Sequence, residues 1–240
     1  MAKRQKPPTS KKQSTSWWVY LGFILIAVLI AWVLIRSYQS PDIVPASVED
    51  SYREFPRGMT DEGFPYLGSL EAPLTLTIYE DFGCTNCKQL FEGVEPALLG
   101  SYVASGEVLL VVYTMAFVNS QSLPAAEAVE CAREQDKFWE YRYVLFTHQG
   151  TNAFTRDNLI NWAELLGLDR KAFANCFDQA RYRSKVLTQS QISYQFGIQV
   201  TPTIELAGLR YEGWLPFDSD NPDQPGLHQI IEQALEKGKP

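Results

Sequence analysis

The stretch DFGCTNCKQL, Asp81 to Leu90, contains two cysteines separated by two residues. The residues before it, LTLTIYEDF, alternate and are rich in β-branched and aromatic side chains, which predicts a strand. Apolar residues at helical spacing follow it, and a second β-branched run, EVLLVVYTM at 107–115, predicts another strand. Strand, helix and strand in this order predict a βαβ unit, whose two strands should be parallel.

The rest of the chain surrounds this unit with further elements. From residue 118 to about 196 the pattern is helical and predicts an inserted block of helices. The segment TPTIELAGLRYEGWLP then predicts two short strands, and residues 227–237 predict a last helix. The predicted architecture is therefore α/β: βαβ, a helical insertion, ββ and α.

Charge is distributed unevenly along the 240 residues. The net charge is −7, but residues 1–36 carry six basic residues and no acid. The remaining residues carry 15 bases and 28 acids, a net charge of −13. A body this acidic is repelled by nucleic acids and by anionic lipid surfaces, so neither is an expected partner.

The N-terminal region predicts a membrane anchor. Residues 17–35, WWVYLGFILIAVLIAWVLI, carry no charge, and a helix of this length spans about 28 Å, close to the thickness of the bilayer core. The alternative is a cleaved signal peptide. The basic residues before the run place 1–16 as a cytoplasmic tail and the body outside the cytoplasm. Residues 36–62 predict a flexible linker and 63–240 the folded domain.

The chain has four cysteines: Cys84, Cys87, Cys131 and Cys176. Thiols oxidise readily outside the cytoplasm, so an even number of cysteines predicts two disulfides there.

A CxxC pair at the start of a helix has a specific chemical use. Backbone N–H groups and the helix dipole favour the thiolate of the first cysteine, so Cys84 is the predicted nucleophile. Cys87, nearly one turn later, is close enough to form or open a disulfide with it. A purely structural disulfide is the alternative, but so small a loop restricts the unfolded chain little.

A zinc site is the other alternative for the pair. Structural zinc usually requires four ligands, and a second closely spaced pair is missing from the sequence. Cys131 and Cys176 are 45 residues apart, and the only histidines are His148 and His228. The sequence therefore predicts neither a metal nor another cofactor.

Thr201-Pro202 supplies a second motif, VTPT, immediately before an apolar strand. A strand ending in EDF, then CTNC, a helical block and VTPT together resemble the DsbA-like thiol-disulfide oxidoreductases, which have the thioredoxin fold and act in bacterial envelopes. The resemblance covers roughly residues 64–240. It implies that Thr201-Pro202 is a cis peptide beside Cys84 and Cys87, where an extended substrate chain pairs with the backbone.

The sequence departs from this family pattern at two places. Relatives often carry a buried acid six residues before the first cysteine, where this chain has Ile78. Glu80 and Asp81 are close by, but the sequence does not place either against the cysteines. The dipeptide Thr85-Asn86 lacks the histidine of strongly oxidising members, which indicates a milder oxidant.

The other two cysteines lie on predicted helices of the insertion. We expect Cys131 and Cys176 to form a disulfide, as similar pairs do in some membrane-anchored relatives. Two buried free thiols are the alternative.

Three hypotheses follow from these features. The first is a membrane-tethered oxidase that introduces disulfides into exported proteins through Cys84 and Cys87. The resemblance implies that a membrane partner of the DsbB or VKOR type reoxidises it. The second is a reductase or isomerase with the same chemistry, and the third is a non-catalytic binding module of the envelope with two structural disulfides.

Overall fold

The computed structural model describes residues 17–38 and 52–238, which fall in two separate units, Met1–Ile43 and Val44–Pro240. In the first unit a single described helix, α1, spans Trp17–Tyr38. Among residues 17–38 and 52–238, no helix combines the length and the apolar character needed to cross a membrane. The transmembrane helix predicted over residues 17–35 is therefore not supported by the structure.

The second unit is built on one mixed sheet. Its six described strands are arranged in the order β1-β2-β4-β3-β5-β6. The strands are β1 (Arg57–Met59), β2 (Pro65–Leu67), β3 (Leu74–Asp81), β4 (Val108–Met115), β5 (Thr203–Leu206) and β6 (Leu209–Glu212).

The two central strands form the predicted βαβ unit. Strands β3 and β4 are parallel, with Leu74 opposite Val108 and Asp81 opposite Met115. All the other strand pairs of this sheet are antiparallel. Strand β4 is buried at almost every position, as expected for the middle of a covered sheet. The parallel pairing predicted from the sequence is confirmed.

Helices cover the sheet and form the insertion. The helices are α2 (Thr85–Gly93), α3 (Glu95–Leu98), α4 (Ser122–Arg133), α5 (Phe138–Thr147), α6 (Arg156–Leu165), α7 (Arg170–Asp178), α8 (Arg183–Gln195) and α9 (Leu227–Gly238). A π-helical segment, Leu99–Val103, follows α3. Helices α4 to α8 lie between β4 and β5 in the chain, so the predicted α/β fold with a helical insertion is confirmed.

The folded body begins earlier than the boundary expected at residue 63. Tyr52 is buried in the core and packs against Trp139, with ring centroids 6.0 Å apart. Strand β1, at Arg57–Met59, pairs with β2. The C-terminal end of the expected linker is thus part of the folded body, because Tyr52 packs in the core and residues 57–59 form a strand of the sheet. The expected tail, residues 1–16, and residues 39–51 of the linker lie outside the described part of the chain.

The insertion is joined internally by a disulfide. Cys131 of α4 is bonded to Cys176 of α7, as expected, and both residues are buried. Because their sulfur atoms are bonded to each other, Cys131 and Cys176 cannot join Cys84 and Cys87 as ligands of a zinc ion.

A buried ion triad joins the insertion to the sheet. From α5, the Arg142 side chain donates to Glu80 of β3 (Nε to Oε1, 2.7 Å; Nη2 to Oε2, 2.6 Å) and to Glu95 of α3 (Nη1 to Oε1 and Nη2 to Oε2, both 2.7 Å). All three side chains are at most 2% exposed. Burial raises the pKa of Glu80. Burial disfavours the cation of Arg142, but the two carboxylates raise the pKa of Arg142 well above its ordinary value.

Aromatic rings enclose the cation of this triad. The Arg142 guanidinium carbon lies 5.2 Å from the ring centroids of Phe91 and Phe146 and 5.5 Å from that of Trp139. Aromatic faces attract a cation most strongly where water is excluded. The rings and the two carboxylates therefore hold α5 against β3 and α3. Strand β3 ends just before Cys84 and Cys87.

We expect the double substitution Cys131→Ala/Cys176→Ala to lower the free energy of unfolding by about 2–4 kcal/mol. The bond closes a loop across 45 residues of separation, and its loss releases unfolded-chain entropy. Denaturant unfolding of the variant and the wild type measures the difference. Cys84→Ser is the matched control, because it removes a cysteine without opening this loop; all proteins are compared at pH 5, where the Cys84 thiol is largely protonated. A loss below about 1 kcal/mol would contradict a stabilising role for the bond.

Candidate active site

Cys84 occupies the junction between β3 and the first turn of α2. It is the N-cap residue of α2, with an extended backbone, and is 8% exposed. Backbone N–H groups of Asn86 and Cys87 are directed at its sulfur. The first N–H groups of a helix have no partner within the helix, so they are available to stabilise a thiolate.

The Thr201-Pro202 peptide lies directly beside this sulfur. The peptide bond is cis, and the Cys84 thiol donates to the Thr201 carbonyl oxygen over 3.0 Å. Sheet register brings the two segments together, because β5 runs antiparallel to β3 with Thr203 opposite Tyr79. The residues just before β5 therefore meet the residues just after β3, although they are 117 positions apart.

Cys87 is more buried than Cys84. It is 2% exposed and accepts a bond from the backbone N–H of Asp81 over 3.4 Å. Both cysteines of the pair are free thiols in this structure.

The two thiols differ strongly in acidity. Hydrogen bonding from the Cys87 thiol, together with Thr201 and the first N–H groups of α2, lowers the pKa of Cys84 from 9.0 to about 6, against an opposing effect of burial. Burial raises the pKa of Cys87 well above its ordinary value. The Cys84 sulfur, which is the less deeply buried of the two, thus favours the anion near neutral pH, while the Cys87 sulfur favours the protonated thiol.

The two acids that the sequence left unplaced have different roles. Asp81 accepts bonds from the backbone N–H groups of Gly83 (2.7 Å), Phe117 (2.8 Å) and Val118 (3.0 Å). It therefore joins the turn after β3 to the turn after β4. Glu80 belongs to the Arg142 triad, and its negative charge contributes to raising the pKa of Cys87.

Two site residues were not predicted from the sequence. Gln149, after α5, and Asn119, before α4, donate side-chain hydrogen bonds to backbone carbonyls of the active-site turn. They are 36 and 65 or more positions from the carbonyls they bind, and no local pattern indicates such a contact.

An asymmetric pair of thiols at a helix N-terminus, facing a cis-proline turn, defines a thiol-disulfide oxidoreductase. A family model described as thioredoxin matches residues 60–232, and the chain belongs to that family. The hypothesis of a non-catalytic binding module is not supported.

Named relatives include disulfide bond formation proteins and Na⁺/H⁺ antiporters. Disulfide bond formation protein D of Bacillus subtilis is 25% identical over 190 residues, which cover 74% of this chain and 79% of that protein. The crystal structure of oxidised BdbD from Bacillus subtilis shares the fold, with a TM-score of 0.63 and 24% identity over 74% of this chain and 96% of that one.

A protein of Salinispora tropica named Na⁺/H⁺ antiporter NhaA 3 is 31% identical over 156 residues, or 61% of this chain. The match spans only 22% of the length of that antiporter. The likeness therefore concerns that stretch of the antiporter alone.

We expect Cys84 to titrate near pH 6 in the Cys87→Ser variant, because the serine hydroxyl can donate to the Cys84 sulfur in place of the thiol and the other donors are unchanged. Thiolate absorbance in the ultraviolet measures the midpoint. The folded-state pKa lies below the unfolded value of 9.0, so the anion stabilises the reduced protein above that value. This stabilisation is lost as the pH falls through about 6. A midpoint at 9 or above would contradict the geometry described here.

Proposed function

We propose that the chain is an oxidase that introduces disulfides into proteins outside the cytoplasm, through Cys84 and Cys87. The main support is the difference in acidity between the two thiols. Stabilising the Cys84 thiolate stabilises the reduced enzyme, so oxidation of a client becomes more favourable.

The exchange proceeds in two steps. A client thiolate attacks Cys84 of the oxidised pair, which forms a mixed disulfide and releases Cys87 as a thiolate that takes up a proton. A second client thiolate then attacks the client sulfur of the mixed disulfide. The client leaves with its own disulfide, and Cys84 departs as a thiolate stabilised by the start of α2.

The acidity of Cys84 indicates a moderate oxidant. A pKa of about 6 falls between the values of about 7 for thioredoxin and about 3.5 for a strongly oxidising DsbA. This agrees with the absence of histidine from Thr85-Asn86. The same chemistry run as a reductase or isomerase is the second candidate.

The disulfide of the insertion supports the proposed compartment. Cys131 and Cys176 are bonded and buried, and such structural disulfides persist mainly in oxidising compartments.

Apolar side chains next to the pair support unfolded proteins as clients. Phe117 and Val118, which are bound through their N–H groups to Asp81, are 42% and 43% exposed. Val200, immediately before the cis peptide, is 41% exposed. An extended client can place its main chain along Thr201 and its apolar side chains on this surface.

The means of regeneration is proposed from the sequence and the resemblance. A membrane partner of the DsbB or VKOR type would reoxidise the pair and accept its two electrons. Tethering by the uncharged run at residues 17–35 would keep the two proteins together.

We expect Cys84→Ser to reduce disulfide formation in a reduced two-cysteine peptide to the uncatalysed rate, because the attacked sulfur is absent. The matched variant Cys87→Ser keeps that sulfur and should accumulate a mixed disulfide with an oxidised peptide, since no second thiol resolves it. Non-reducing electrophoresis and mass spectrometry detect the adduct. Equal rates for Cys84→Ser and the wild type would refute an enzymatic role.

The reduction potential of the Cys84–Cys87 pair decides whether the protein oxidises or reduces its clients. We expect a value clearly above that of thioredoxin, about −270 mV, in equilibrium with a glutathione buffer. A value at or below it would replace the oxidase with a reductase.

We expect the full chain to remain in the membrane pellet after an alkaline carbonate wash. Leu25→Asp/Leu29→Asp should release it, because two charges within the apolar run disfavour insertion. Recovery of the unaltered chain in the supernatant would refute the tether and leave the exchange chemistry untouched.

A further inference from the structure

Three consecutive backbone carbonyls of the active-site turn are bound by side-chain amides of the insertion. Gln149 Nε2 donates to the carbonyl oxygens of Phe82 (2.5 Å) and Cys84 (3.0 Å). Asn119 Nδ2 donates to the carbonyl oxygen between them, that of Gly83, over 2.9 Å. We call Gln149 and Asn119 the amide clamp.

The opposite ends of two of these peptide units are held as well. The Gly83 N–H donates to Asp81 Oδ1 over 2.7 Å, and the Cys84 N–H donates to the Asp81 carbonyl oxygen over 2.9 Å. Each unit is thus fixed at its oxygen and at its nitrogen. The turn has no freedom to rotate a carbonyl without breaking a hydrogen bond.

The absence of a side chain at residue 83 allows this close approach. A Cβ atom on Gly83 would lie 2.6 Å from Asn119 Nδ2 and 2.6 Å from Ser122 Oγ. The clamp and any larger residue at this position therefore exclude each other.

The insertion is itself braced where it provides the clamp. Gln121 donates to the Gly150 carbonyl oxygen over 3.1 Å and accepts a bond from the Phe154 N–H over 3.0 Å. These bonds fix the loop after Gln149 without touching the active-site turn. Lys88 of α2 also donates to the Thr147 carbonyl oxygen, over 3.4 Å, at the end of α5.

We propose that Gln149 and Asn119 are positioning residues through which the helical insertion sets how strongly the turn favours the thiolate of Cys84. The inference rests on the proposed exchange at Cys84. A carbonyl oxygen carries partial negative charge, so a carbonyl free to turn toward the sulfur would disfavour an anion there. Amide donors hold these oxygens in place and offset part of their charge.

The clamp therefore acts on the two redox states unequally. The oxidised pair carries no charge at Cys84, whereas the reduced pair carries a thiolate. Loss of the clamp should destabilise the reduced state more than the oxidised state and make the protein a weaker oxidant.

The test compares variants in the Cys87→Ser background by thiolate absorbance, with full-length protein. We expect Gln149→Ala to raise the midpoint by roughly half a pH unit to one unit, the size of one hydrogen bond. Gln149→Glu, of the same shape with an acceptor in place of the donor, should raise it further. Gln135→Ala is the matched control: it removes a side-chain amide of the insertion that bonds only to the Asp169 backbone and not to the clamp or the active-site turn, so it should leave the midpoint unchanged.

A second readout separates positioning from general stability. With both cysteines present, Gln149→Ala should shift the equilibrium with glutathione three- to tenfold toward the oxidised enzyme. A merely structural role would lower the melting temperature of both redox forms equally and leave this equilibrium unchanged, which would overturn the proposal.

Asn119→Asp provides an independent variant if Gln149→Ala does not fold. It loses the donor to Gly83 but can keep the acceptor that binds the Gln121 N–H at 2.8 Å. An unchanged midpoint in Asn119→Asp would then refute the clamp. A wild-type midpoint near 9 would instead refute the proposed function, so the two failures are distinguishable.

Discussion

A negative charge on the Cys84 sulfur is stabilised where β3 ends and α2 begins, and the surrounding elements are arranged around that point. Cys84 lies just beyond the C-terminal end of the central strand β3, and α2 supplies N–H groups that lack partners within the helix. Strand β5 then brings Thr201 beside the sulfur, where its carbonyl oxygen accepts from the Cys84 thiol over 3.0 Å and its side chain contributes to lowering the pKa of Cys84. The chemistry therefore depends on two chain segments that meet only because their strands are neighbours in one sheet.

The difference between the two thiols comes from depth rather than from residue type. Cys87 lies on the buried face of α2, and burial favours its neutral form, whereas the Cys87 thiol and the first N–H groups of α2 donate to Cys84 and favour its anion. The same short loop thus contains a good leaving group and a protonated partner. Arg142 of the insertion pairs with Glu80, whose negative charge contributes to raising the pKa of Cys87. In the proposed clamp, the carbonyl contacts of Gln149 favour the anion of Cys84.

The parts of the fold that depend on local pattern could be predicted from the sequence. Alternation in Leu74–Asp81 and the apolar run in Val108–Met115 indicated parallel strands, because both strands are regular and the connecting helix is long enough. Strands β1 and β2 were not predicted, since each has three residues and no alternation to detect. The contacts of Gln149 were not predictable either, because they join residues 65 or more positions apart.

The triad of Glu80, Glu95 and Arg142 limits how this region can diverge. Removing one member leaves a buried charge without its partner and costs about 3–5 kcal/mol, whereas replacing all three by apolar residues of matched volume is often tolerated. Substitutions at these three positions are therefore expected to occur together. A protein in which only one of the three has changed is expected to be destabilised. Change at these buried positions should therefore require several substitutions at once, unlike single substitutions on the surface.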